Sequence, residues 1–381
     1  MTKWLTRAEA LRELKVRPQT LYAYASRGQI GVCRDPADPK RSLYRGEDIA
    51  DLLTRRRRSR RPDAIAASTI WLGEPIITTT ISTIHAGRLY YRGRDAIVLS
   101  DTATLEDVAA VLWDAPAPPR FESQRLPRVA KESGRERAYA ALAAAAASSS
   151  PTFARAASVL REEAGLLVGC LASAFGAGAG GSPVHLRLAR GWRLKEPAVD
   201  LVRRALVLMA DQELTTSAFA ARVAASTGAS LAACVLAGIA TLSGPLHGGA
   251  PIRVKGLFDE VARTNADEAI QRHLASGWPV PGFGHFLYPE GDPRAQALLA
   301  AFEPRAHFRR TIATVCAKTG QAPTIDVALA ALADRFDLPA DAPFALFAIG
   351  RSVGWLAQSI EQATTGAMIR PRARYVGPPL G

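Results

Sequence analysis

Cysteine and histidine are scarce in this chain, with 4 and 6 among 381 residues. Cys33, Cys170, Cys234 and Cys316 lie far apart, so the sequence carries neither a disulfide framework nor paired ligands at metal-site spacing. This predicts a reducing, cytoplasmic setting and no metal site. Long apolar runs are missing too. The richest, "ASLAACVLAGIATLSGPLHGG", is broken by Gly, Ser and Pro before it reaches membrane-spanning length. The opening "MTKWLTRAEALRELKV" is charged and amphipathic, which predicts neither a secretory signal nor an anchor.

What is present fits a soluble globular protein: 48% hydrophobic and 22% charged residues, in a chain long enough for more than one domain. The net charge of +13 is uneven, because residues 1–62 hold 16 Lys/Arg against 7 Asp/Glu. That segment has its own plan. Thr6 is placed to cap a helix whose apolar face is Ala8, Leu11 and Leu14. "VRPQTLYAYASRGQI" reads as a turn and a second helix ended at Gly28, "GVCRDPADPKRSLYRGEDI" as a short β wing, and "GEDIADLLTRR" as the start of a third helix. The layout resembles the winged helix-turn-helix modules of MerR-type regulators and excisionases. On that resemblance Arg17, Gln19, Thr20, Tyr22, Tyr24 and Arg27 are candidate DNA contacts, with "RRRRSRR" (55–61) on phosphates. Protein–protein adaptor use and a solvated linker are the plainer alternatives.

Beyond Pro62, a polar loop and an Ala-rich helix fill 119–151, and apolar helical segments follow over 151–243 and 291–370. The body is expected to be mainly α-helical. "GAGAGG" (176–181) matches a dinucleotide fingerprint, with Glu196 at the right distance. No βαβ alternation surrounds it, so a loop between helices is expected, with Ser182 capping the next helix and Pro183 as its first residue.

Chemistry gathers in two Gly-rich stretches. "GPLHGGA" puts His247 before a helical segment whose positive end disfavours imidazolium and leaves a neutral ring able to donate. "PGFGH…DPRA" repeats the device with His285 and adds Arg294. Asp326 stands on an apolar segment where a carboxylate is costly unless used, and Arg351 and Arg370 lie on or beside apolar helices. With "GRLYYRGRD", "QELTTSAFAARV", "TIDVAL" and "GRSVGWLAQSIEQ…IRPRARYVG", these stretches resemble, in order and spacing, the motifs of citrate synthases over about residues 70–378.

The resemblance implies a two-domain helical homodimer with a shared active site. Its large domain would span 63–250 and 346–381, and its small domain 251–345. It implies acetyl-CoA as co-substrate, no tightly bound cofactor, and oxaloacetate as acceptor, giving citrate and CoA. Asp326 would be the base, His247 the enol-stabilising donor and His285 the group that polarises the ketone. Gln212, Arg294, Arg351 and Arg370, the last from the partner subunit, would hold the acceptor. Gln212 replaces the family's histidine, Phe286 stands where bacterial members often have arginine, and Pro251-Ile252 follow "GPLHGGA" instead of Asn-Glu. These departures leave open a different pair, such as propionyl-CoA (2-methylcitrate formation) or another 2-oxo acid. A DNA-binding regulator with a synthase-like metabolite sensor also stays open.

Overall fold

The computed structural model describes residues 4–16, 18–26, 30–35, 38, 41–50, 53, 77–127, 133–248, 250–275, 279–366, 368–373, 375, 377 and 378. Arg17, Arg27, Gly28 and the arginine run 55–61 lie outside them. The chain divides into two compact units, Met1–Thr78 with Arg370–Gly381, and Thr79–Ile369.

In the first unit, β1 (Trp4–Thr6), β3 (Ser42–Arg45) and β2 (Val32–Arg34) form an antiparallel sheet with β3 in the middle. Helices α1 (Arg7–Leu14) and α2 (Pro18–Ser26) lie between β1 and β2, and residues 46–50 are again helical. Thr6 caps α1 as expected, and Glu9 answers it by accepting from the Thr6 backbone N–H at 2.7 Å. The buried face differs from the expectation: Ala10 and Leu14 point inward beside Leu11, while Ala8 is exposed. Ala10 precedes Leu14 by four residues and so shares its face; Ala8 precedes it by six.

The second unit is mainly helical. Before its helices comes a three-stranded meander, β4 (Ser82–His85), β5 (Arg88–Tyr91) and β6 (Arg94–Asp95), within a body expected to be all helix. Ala86-Gly87 and Arg92-Gly93 take positive φ in the two tight turns, the geometry that matches strand twist in hairpins. The helices are α3 (Ala96–Thr102), α4 (Leu105–Trp113), α5 (Gly134–Ser148), α6 (Ala157–Ala174), α7 (Val184–Trp192), α8 (Ala198–Met209), α9 (Thr216–Ser226), α10 (Leu231–Leu242), α11 (Ala250–Arg263), α12 (Ala266–Ala275), α13 (Pro293–Ala300), α14 (Ala306–Thr319), α15 (Ile325–Arg335) and α16 (Ala342–Thr365). "GAGAGG" is a loop between α6 and α7, as expected. Pro183, not Ser182, is the N-cap of α7, and the Ser182 hydroxyl instead accepts from Arg190.

Helix α16 is the axis of the main core. It is buried on every side from Phe344 to Ile360, which its nearly unbroken apolar and small-residue sequence permits. Trp113 donates its indole N–H to Val353 O at 2.9 Å, and Gly350 and Gly354 let the end of α8 press directly onto the helix. A second, smaller core joins Val254, Phe258, Ile270, Phe283, Phe308, Val315 and Val327. Among the described residues no helix is long and apolar enough to cross a membrane.

Candidate active site

The turn after α8 builds one wall of the site. Glu213 takes positive φ there and accepts from the Ile84 backbone N–H at 2.6 Å, while the Tyr91 hydroxyl donates to Val207 O at 3.0 Å. The meander thus clamps residues 211–213. Asp211 is wholly buried and accepts from the Ser82 hydroxyl at 2.5 Å; burial pushes its carboxyl up to about 6, against the pull of Arg351.

His247 lies in the turn between α10 and α11, edge-on to Phe347. Trp355 Nε1, which can only donate, gives its proton to Ser217 Oγ at 3.1 Å. Ser217 Oγ also pairs with His247 Nε2 at 2.7 Å and lies 3.5 Å from the Thr215 hydroxyl. Burial first, and the Arg351 charge second, hold the ring neutral down to about pH 4. The sequence pointed to the neutral ring through the helix end; the larger cause is burial.

His285 lies on the other loop. The Leu287 backbone N–H donates to its Nδ1 at 3.2 Å, so the neutral ring carries its proton on Nε2. Burial and the neighbouring Arg294 lower its pKa to about 4. Nε2 lies 3.4 Å from the Gln212 amide nitrogen. The Gln212 oxygen is taken by Arg294 Nη1 at 2.9 Å, so the amide nitrogen and His285 Nε2 face one another as two donors.

Arg294, 1% exposed, is held bidentately by Asp292, Nε to Oδ1 at 3.0 Å and Nη2 to Oδ2 at 2.9 Å. Burial works against its charge, but Asp292 outweighs burial and keeps it firmly protonated. Asp292 also caps α13 and accepts from the Ile325 N–H at 3.0 Å, tying this loop to the start of α15. The same two segments meet through the backbone: Gly284 N–H donates to Ala322 O at 2.9 Å and Thr324 N–H to Gly282 O at 2.8 Å. These bonds bring Asp326, in the first turn of α15, to the His285 loop. Asp326 accepts from the Thr324 hydroxyl at 3.1 Å, its Oδ1 has no partner, and burial raises its carboxyl to about 6.

Arg351, wholly buried on α16, donates to Met209 O at 2.9 Å and to the Thr215 hydroxyl at 3.3 Å, leaving Nη2 unpartnered. Burial lowers its pKa to about 10 despite Asp211. The structure thus draws Gln212, His285 and Arg294 into one hydrogen-bonded group, with Asp326 tied to it. His247 and Arg351 form a second group around Phe347. Asp326 shares no hydrogen bond with either imidazole among the described residues. Arg370 is exposed and belongs to the amino-terminal unit. His85 is exposed, His185 is buried, and His273 and His307 lie beside Glu260 and Asp334.

Ser217, Asp211, Asp292, Tyr288 and Trp355 belong to the same constellation, and sequence reasoning assigned none of them a role. For Asp292 a signal existed, since Asp before Pro-Arg is a helix start. Two surface cavities, of about 630 and 450 Å³, are lined by residues outside this constellation.

Residues 181–372 match the family model described as "Citrate synthase, C-terminal domain". A citrate synthase of Haloferax volcanii is 35% identical over 204 residues, 50% of this chain and 54% of that protein. The chain spans about half the length of the curated relatives it matches. Citrate synthase from Thermotoga maritima superposes with a TM-score of 0.68 at 25% identity, covering 80% of this chain and 94% of that one. A ternary complex of carboxymethyl coenzyme A and oxaloacetate with citrate synthase from Thermoplasma acidophilum gives 0.68 at 24% identity, covering 81% and 95%.

Proposed function

Because the chain belongs to the citrate synthase family, we propose that it condenses acetyl-CoA with oxaloacetate and then hydrolyses the thioester, releasing citrate and CoA. The methyl group of a thioester is a very weak carbon acid. A carboxylate removes its proton only if the carbonyl oxygen is hydrogen-bonded as charge develops there. Asp326 is the base: its raised pKa makes it stronger than an ordinary aspartate, and one oxygen is free to accept. His247 is the donor, a neutral ring whose Nε2 is engaged by Ser217 and whose Nδ1 faces the thioester oxygen. His285 and Gln212 aim two N–H groups at the acceptor's ketone oxygen, and His285 protonates it as the new bond forms. The unpartnered Nη2 of Arg351 takes a carboxylate. Arg294, which also holds the Gln212 oxygen, is assigned with its remaining N–H groups to the other carboxylate, and Arg370 to the second protomer of a homodimer. The separate core around Phe258 and Phe308 supports 251–345 as a small domain that closes over the substrates, excluding water.

The observation that carries this reading is the buried, neutral His247 whose Nε2 is engaged by Ser217, itself held by Trp355, so that Nδ1 is left for a substrate. Free-thiol release on mixing the protein with acetyl-CoA and oxaloacetate tests it. Release that depends on both substrates is expected; none with any acyl-CoA and 2-oxo acid pair rejects it.

For the amino-terminal unit the reading is DNA contact through α2, which carries Gln19, Thr20 and Tyr22. Tyr22 is exposed, and the Arg7 guanidinium lies 5.3 Å from its ring centre. Deleting residues 1–62 is expected to abolish salt-sensitive DNA binding and to spare thiol release. Sequence-specific DNA binding that CoA esters alter, with no thiol release by the full chain, supports the regulator-and-sensor alternative instead.

A further inference from the structure

One hydroxyl grips the chain on both sides of Gln212. Ser82, buried on β4, donates to Asp211 Oδ2 at 2.5 Å and accepts from the Glu213 backbone N–H at 2.8 Å. A hydroxyl has one proton to give and lone pairs to receive, so both bonds form at once. Between the two anchored residues stands Gln212. Its amide oxygen meets Arg294 at 2.9 Å, and its amide nitrogen lies 3.4 Å from His285 Nε2.

The turn needs that grip. Glu213 takes a φ of 53°, a left-handed conformation that a residue with a side chain holds only where its surroundings impose it. Ser82 faces Tyr91 across the β4–β5 ladder, so both side chains leave the same side of the meander. The Tyr91 hydroxyl reaches only the upstream side of Gln212, at Val207 O and the Asp211 backbone. The Ile84 N–H reaches only the downstream side, at the Glu213 carboxylate. Among the described residues, Ser82 is the one whose side chain spans both. It lies outside the 181–372 family match.

We propose that Ser82 is a positioning residue: by bridging Asp211 and Glu213 it fixes the turn that carries the Gln212 amide to the acceptor's ketone oxygen. The placing of Gln212 rests on the geometry; the ketone as its target rests on the condensing-enzyme reading.

The test is Ser82→Ala and Gln212→Ala, singly and together in the full chain, read by thiol release at varied oxaloacetate and acetyl-CoA and by the crystal structure of Ser82→Ala. The KM for oxaloacetate is expected to rise about 10-fold in Ser82→Ala, with the KM for acetyl-CoA unchanged. In the Gln212→Ala background the same change is expected to add less than about twofold, because the group being positioned is gone. An equal rise in both backgrounds makes the hydroxyl merely structural and overturns the proposal. Ser82→Thr keeps the hydroxyl and is expected to retain the wild-type KM; a rise equal to that of Ser82→Ala also overturns it. A wild type that releases no thiol sinks the condensing reading alone. The crystal structure then decides for Ser82: a Gln212 amide displaced from His285 upholds its role, and an undisplaced one overturns it.

Discussion

Ser217 Oγ lies 2.7 Å from Nε2 of His247 and accepts the Trp355 indole N–H at 3.1 Å on its other side. Two residues thirty positions apart therefore decide which ring nitrogen can meet a substrate. Ser217→Ala removes the preset and leaves the Trp355 indole N–H buried without an acceptor. We expect kcat to fall by about 10- to 100-fold with little change in KM, and stability to drop by about 1–3 kcal/mol. Steady-state kinetics and urea melting check both.

The titrating groups fix a pH profile. His247 and His285 stay neutral down to about 4, whereas Asp326 must be ionised to act as base and has been pushed up to about 6. As pH falls, activity is therefore lost through Asp326 before either imidazole charges. Asp211 titrates in the same range and reinforces the loss by weakening the field on Arg351. The acid limb of kcat/KM is expected near pH 6. An acid limb at 4 contradicts this assignment.

Asp292 holds Arg294, caps α13 and anchors Ile325, and both members of the pair are buried. Asp292→Asn strands a buried guanidinium and is expected to cost about 3–5 kcal/mol. Arg294 outweighs burial and depresses the Asp292 pKa below 3.8. The pair's stabilisation is thus complete above 3.8 and is lost as pH falls through the depressed value. Denaturant melts of wild type and variant between pH 3 and 7 check the sign.

Gly354 is where α16 passes the Ala210–Asp211 backbone, and a Cβ there would collide with Ala210 O and the Asp211 carboxylate. Gly354→Ala is expected to destabilise by about 1–3 kcal/mol and to cut activity by displacing Gln212. Equal loss from Gly256→Ala, at a glycine with open space around it, would contradict that specificity.

Much of the fold was readable because it is local. Helical periodicity, the Thr6 cap, and the missing βαβ context of "GAGAGG" all act within a few residues. So do the Gly-rich frames of His247 and His285. What escaped reading is non-local or finely balanced. Ser217 and Trp355 reach His247 from α9 and α16, and nothing near "GPLHGGA" encodes them. Arg294 looked free because its partner two residues earlier reads as a cap; only the folded loop turns that cap into a bidentate clamp. The 82–95 meander was outvoted by a helical body, although its β-branched residues and two glycine turns were in plain view.

Deuterium exchange into the methyl group of acetyl-CoA, followed by ¹H NMR in D₂O, tests enolisation by Asp326 and His247 most directly. The acceptor is replaced by a 2-hydroxy acid of the same carbon skeleton, which offers no ketone to attack. Exchange by the wild type, slowed about 100-fold or more in Asp326→Asn and in His247→Ala, is the predicted result. Exchange at the wild-type rate in Asp326→Asn would contradict the account.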